Sequence, residues 1–212
     1  MKKLMMLLLA FCIAMPMTYA DNKNKQLEKA LKKEFKQKKK ELEKDKWKLF
    51  GSSRSLDVAL LLHYDKLQRL GDDGREIVGV AGNVKSKNAG HQMAINNACI
   101  TYSQQAGSSL KGRIVSDLAA DGTDGEGEFD HFYAAYERLV EKEIKGEMEE
   151  SFTVIREMAP GLYEFQTFFI VSESAASKAR IRAMENAMKE SDAAKKHATV
   201  ISEFVKEGFT TE

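Results

Sequence analysis

Residues 147–172 read EMEESFTVIREMAPGLYEFQTFFIVS. Two runs rich in β-branched and aromatic residues meet at Ala159-Pro160-Gly161-Leu162. Proline then glycine at the two central positions is the chemistry of a type II turn, because the pyrrolidine ring presets φ and glycine accepts the positive φ that follows. The stretch is therefore a β-hairpin. In its second strand Tyr163, Phe165, Thr167, Phe169 and Val171 alternate with Leu162, Glu164, Gln166, Phe168 and Ile170, giving one largely apolar face and one mixed face. A lone hairpin is marginal in water, so it needs further strands and a helical cover.

Working outward, EIVGVAGNV (Glu76 to Val84) reads as another strand, whose Gly79, Ala81 and Gly82 invite a close approach by a neighbouring element. KGRIVSDLAA (Lys111 to Ala120) reads as a further strand. Between and around these lie amphipathic helices. Ser55 is a candidate N-cap for a helix with Leu56, Ala59, Leu60, His63 and Leu67 on one face, ending at Gly71. Ala94, Ile95, Ala98, Cys99 and Tyr102 mark a second helix that stops at Gly107, and Phe129, Phe132, Tyr133, Tyr136, Leu139, Val140 and Ile144 a third that reaches Gly146. From Glu173 to Glu207 there is neither Gly nor Pro, so one unbroken helix of about 50 Å is expected. Its alanine face (Ala176, Ala179, Ala183, Ala187, Ala194, Ala198) suits close packing on a sheet, and Ile201, Phe204 and Val205 then need a separate partner. The fold expected is α+β: one mainly antiparallel sheet covered by helices, with a long C-terminal helix and a basic N-terminal helix.

The chain of 212 residues opens with Met1-Lys2-Lys3, an apolar run LMMLLLAFCIAM and a small residue at Ala20. This is the pattern of a secretory signal peptide over 1–20, and the run is too short to span a bilayer. Phe11 is bulkier than the residue that precedes a lipoprotein cut, so a lipid anchor at Cys12 is not expected. Cleavage leaves Cys99 without a partner for an internal disulfide, and its apolar neighbours make it a buried, inert thiol. Loss of Lys2 and Lys3 takes the formal charge from +1 to −1, which leaves no whole-chain attraction for nucleic acid. The basic charge is local: Asp21 to Lys48 holds twelve lysines against six acids. Leu27, Leu31, Phe35, Leu42 and Leu49 form a narrow stripe there, so 21–48 is a basic amphipathic helix, and it is the available partner for Ile201, Phe204 and Val205. Lys32, Lys33, Lys36, Lys38, Lys39 and Lys40 would face an anionic surface. The domain proper runs over 49–172, with an acidic Gly-rich loop at 120–128, and 173–212 forms the C-terminal helix.

Chemistry is sparse. His63, His91, His131 and His197 fall on four separate elements without metal-ligand spacing. Ser108-Ser109-Leu110-Lys111 matches S-x-x-K, but the companion motifs of such serine enzymes are missing and the match lies at an expected helix end. The stretch DLAADGTDGEGEFD (Asp117 to Asp130) is the candidate metal loop. An EF-hand register started at Asp124 puts Phe129 where the sharp turn needs glycine, and one started at Asp121 puts Thr123 and Gly125 at ligand positions. Gly alternating with acids is strongly solvated, so the loop reads first as a hinge. Asp117, Asp121, Asp124 and Asp130 with His131 remain the metal candidates should they converge, and no cofactor is expected.

GVAGNVKSKNAGHQMAINNACITYSQQAGSSLKGRIV, with the later YEFQTFFIVSESAASKARIRAMENAM, resembles the small α+β domain of a bacterial envelope lipoprotein family that recurs at the front of the flagellar assembly protein T. The likeness covers about residues 76 to 190. It also resembles uncharacterised exported proteins of gut bacteria. The resemblance implies an exported, envelope-associated protein and carries no catalytic residues. Three functions are expected in order: a non-enzymatic envelope protein acting through protein–protein or self-association; a small-ligand or cell-wall-binding module using Tyr163, Phe165, Phe168 and Phe169; and a serine hydrolase acting through Ser108.

Overall fold

The hairpin forms the middle of the molecule. A computed structural model describes residues 25–26, 28–120 and 129–208, with residues 118–120 by their backbone alone. The leader, Cys12, Leu27 and most of the acidic loop therefore lie outside the described residues. Strands β1 (Lys48–Phe50), β2 (Gly74–Val84), β3 (Glu149–Ala159) and β4 (Leu162–Ser172) make one antiparallel sheet in the order β1-β3-β4-β2. Gly161 turns the hairpin at φ +73°, the value a type II turn requires. Helices α1 (28–44), α2 (Leu56–Leu70), α3 (Lys87–Ala120), α4 (Asp130–Ile144), α5 (Glu173–Met188), α6 (Asp192–Lys196) and α7 (Ala198–Glu207) complete the α+β fold.

Helices cover the sheet, as expected, and they do so on both faces. α3 lies across the face that carries Phe165, Thr167 and Phe169. α1 and α2 cover the other, where Leu42, Trp47, Leu60, Phe152, Val154 and Phe168 form a separate core. Phe152 and Phe168 stack at 4.4 Å between ring centroids, and α1 adds Phe35 edge-on to Tyr64 of α2. The narrow stripe of α1 thus docks on α2 and the sheet, not on the C-terminal helix. Ser55 caps α2 as expected, accepting from the Val58 amide at 3.3 Å.

The segment Lys111–Ala120, expected to be a strand, is the last third of α3. The cause is the stripe Cys99, Tyr102, Ala106, Leu110 and Ile114, every member buried at three- and four-residue spacing. Two interior glycines cost the helix about 1 kcal/mol each. Burying Leu110 and Ile114 recovers more, at about 1.5–3 kcal/mol per side chain.

The C-terminal stretch is helical in three pieces and not one. Ser191 ends the run and caps α6, accepting from the Ala194 amide at 3.2 Å, and His197 leaves helical geometry between α6 and α7. This break folds α7 back, so that Ile201 and Val205 enter the main core with α3, α4 and α5. Arg113 of α3 pins the end of α7 through the Phe204 carbonyl (3.3 Å) and Glu207 (3.0 Å). The alanine face of α5 likewise packs mainly on helices, with Phe132, Tyr136, Val140 and Ile144 of α4 in the same core and Val171 the buried residue that the sheet adds.

Candidate functional site

The metal candidates do not assemble among the described residues. Asp117 sits on α3, Asp130 opens α4 with Lys111 3.9 Å away, and His131 is exposed beside it. Asp121 and Asp124 lie outside the described residues. No group of three His, Cys, Asp or Glu side chains among the described residues is placed to hold a metal ion. Ser108 and Lys111 lie one turn apart inside α3, not at a helix end, and Lys111 reaches to Asp130 and over the Tyr133 ring at 5.4 Å. Cys99 is 2 % exposed and burial pushes its thiol up, so the protonated, unreactive form is favoured.

The aromatic strand is not a ligand platform, because Phe165, Phe168 and Phe169 are core residues. Tyr163 alone reaches a surface. A polar seam that the sequence did not reveal crosses the α2 face instead. His63, 1 % exposed, holds Glu76 at 2.6 Å through Nε2 and Ser151 at 3.0 Å through Nδ1. With its proton on Nε2 the ring donates to Glu76, and Nδ1 accepts from the Ser151 hydroxyl. Serine, histidine and carboxylate in a row is the order of an acyl-transfer relay. Here the ring is enclosed by Tyr64, Phe152 and Phe168, and neither cavity described below borders Ser151. The seam satisfies a buried imidazole where the bulge at Ser151 leaves the ladder.

Cations organise the surface on this side. Of the six lysines expected to face an anionic surface, three are held by the protein itself. Lys39 pairs with Asp57 at 2.8 Å, Lys38 lies over the Phe168 ring at 5.0 Å, and Lys32 pairs with Glu28 at 2.5 Å. Lys33, Lys36 and Lys40 point away. At 3.6 residues per turn they fall with Lys29 and Lys44 in an arc of about 80°, opposite the docked Phe35 and Leu42. Five ammonium groups therefore run about 22 Å along the solvent face of α1. None has a carboxylate within ion-pair distance among the described residues.

The turn after α1 carries Lys46 at φ 59° and drives Trp47 into the core beside Leu42. There it meets the hairpin end. Lys46, Trp47, Lys48, Lys87, Ile155, Arg156, Glu157 and Tyr163 line a groove of about 490 Å³. The Arg156 guanidinium stacks over Trp47 at 4.5 Å and is closed on Glu164 at 2.7 Å, while Lys87 lies over Tyr163 at 4.8 Å. A second cavity of about 10 Å³, between α3, α5 and α7, holds nothing larger than a water.

The chain matches no protein-family model, no curated protein and no solved structure.

Proposed function

We propose that the protein is a non-enzymatic, exported component of the cell envelope that rests on an anionic membrane surface through α1. The observation that supports this is the lysine stripe on a helix whose apolar face is already docked. Such a helix has no apolar side left to insert, so it adheres by charge: each lysine near an anionic leaflet adds about 1 kcal/mol, screened by salt. Among the described residues no helix is long and apolar enough to cross a membrane. Export is supported by the leader-like residues 1–20 and by the resemblance to the envelope lipoprotein domain.

Replacing Lys33, Lys36 and Lys40 together by glutamate is expected to weaken co-sedimentation with phosphatidylglycerol vesicles roughly a hundredfold. The urea midpoint should move little, because the three side chains are exposed and outside the ion pairs of α1. Undiminished sedimentation of the triple variant would sink the proposal.

Self-association with a second copy is a second reading, supported by α2. Val58, Leu61 and Leu62 are 43–57 % exposed at i, i+3 and i+4, an apolar face about one turn long that a two-fold axis makes self-complementary. Light scattering is expected to show a dimer that Leu61→Lys converts to monomer. A monomer at every concentration removes this reading and leaves the first untouched.

A further inference from the structure

The groove beside Trp47 sits where the lysine stripe ends, since Lys44 closes the stripe and Lys46 opens the groove. Its volume of about 490 Å³ is that of a small-molecule site. Lys46, Lys48 and Lys87 border it, and none of the three has a carboxylate within ion-pair distance among the described residues. Three ammonium groups face one concavity against the Glu157 carboxylate in its lining, a net positive charge that an anion would offset. The fourth cation is different. Arg156 has the planar fork that pairs with a carboxylate, but that fork is already closed on Glu164 and its face on Trp47.

We propose that this groove binds a phosphate group carried on a polyol or saccharide body. The lysines supply point charges for a tetrahedral oxyanion, which needs no fork. Ile155 and the ring edges of Trp47 and Tyr163 line the floor of the groove and offer C–H contact to the body, Arg156 and Lys87 each holding one ring face, and the Glu157 carboxylate beside them accepts from its hydroxyls. The proposal shares its anionic setting with the surface reading of α1 but uses none of the stripe residues, so the two fail separately.

The chain has one tryptophan, and it lies in the groove, so its emission reports occupancy directly. Titration of the purified protein with glycerol 3-phosphate is expected to change Trp47 emission saturably, with a Kd of about 1 mM or tighter, and glycerol to do nothing. Lys48→Ala with Lys87→Ala should weaken that binding about tenfold or more while lowering the urea midpoint by no more than loss of the Lys87–Tyr163 contact accounts for. The Lys33, Lys36 and Lys40 glutamate variant should bind glycerol 3-phosphate as the parent does, whatever becomes of its vesicle binding. A parallel titration with phosphatidylglycerol vesicles separates the sources: a matching emission change assigns the phosphate to a lipid headgroup, and its absence assigns it to a soluble or polymeric phosphate. Silence of both emission and calorimetry toward glycerol 3-phosphate overturns the proposal. So does equal binding by the Lys48 and Lys87 variant, and equal affinity for inorganic phosphate overturns the part played by the floor.

Discussion

Gly79→Ala is expected to cost about 3 kcal/mol or more and to lower the thermal midpoint by roughly 6–12 °C. Gly79 lies in the middle of β2, where α3 crosses the sheet. A β-carbon built there falls 1.8 Å from the carbonyl oxygen of Ala94, 2.8 Å from its carbonyl carbon and 2.9 Å from the Ala98 methyl. Neither backbone nor a methyl can rotate aside. Relief requires α3 to lift off β2, and α3 is the helix that joins the sheet to the α4, α5 and α7 core. A control lies three residues on. Gly82 is in the same strand, and a β-carbon there meets nothing within 4 Å. Gly82→Ala should therefore be neutral or slightly stabilising, through the lower entropy of the unfolded chain. Urea unfolding of the two variants decides the matter: equal midpoints would show that α3 does not approach β2 this closely.

That close approach was legible in the sequence at Gly79 and Ala81, small residues two apart on one face of the strand, while Gly82, grouped with them, faces open space. So were the hairpin, from Pro160-Gly161, and the first turn of α2, from Ser55. The signals that failed were those in which two periods compete. Arg113-Ile114-Val115 looks like a strand when read alone, but Ile114 also continues the four-residue step of Ala106 and Leu110, and the longer pattern wins because it buries more. The break before α6 had a signal too, since Ser191 followed by Asp192 is the chemistry of a helix start as much as of a helix interior. A chain without Gly or Pro hid it.

The candidate site was less legible for a different reason. Lysine counts located the basic segment but could not say which lysines stay free. Lys38 and Lys39 leave the set only because Phe168 and Asp57 lie beneath them once α1 has docked. The groove draws on the turn after α1, on β1, on β3, on β4 and on the start of α3, and no local pattern joins those five pieces. His63, Glu76 and Ser151 meet for the same tertiary reason. The sheet does the assembling: β1 and β3 bring the Trp47 turn against Arg156, and β4 brings Tyr163 beside them.

Glu173→Ala is expected to be the most damaging change in the helical half, at about 3–5 kcal/mol, because it strands a buried charge. Arg180 of α5 is 2 % exposed. Its guanidinium donates to Glu173 at 2.5 Å, to the Tyr102 hydroxyl at 2.5 Å and toward the Val205 carbonyl at 3.5 Å, so one side chain ties α5 to α3 and α7. Burial works against that charge, yet Tyr102 and Glu173 outweigh it and hold the guanidinium above its ordinary pKa. Burial also pushes the Tyr102 phenol up, which keeps it neutral. Removing the carboxylate takes a charged partner from a cation that stays in the core. Arg180→Met is the milder change, since Glu173 is partly exposed and keeps Arg75 as a partner, and methionine fills most of the space. The comparison of the two is the test. With both substitutions together the loss should fall below that of Glu173→Ala alone, because no buried charge is left to strand. Simple additivity of the two losses in urea unfolding would mean that Arg180 and Glu173 are not coupled, and that the closure of α7 over α3 and α5 rests on Ile201, Val205 and the Arg113 contacts without them.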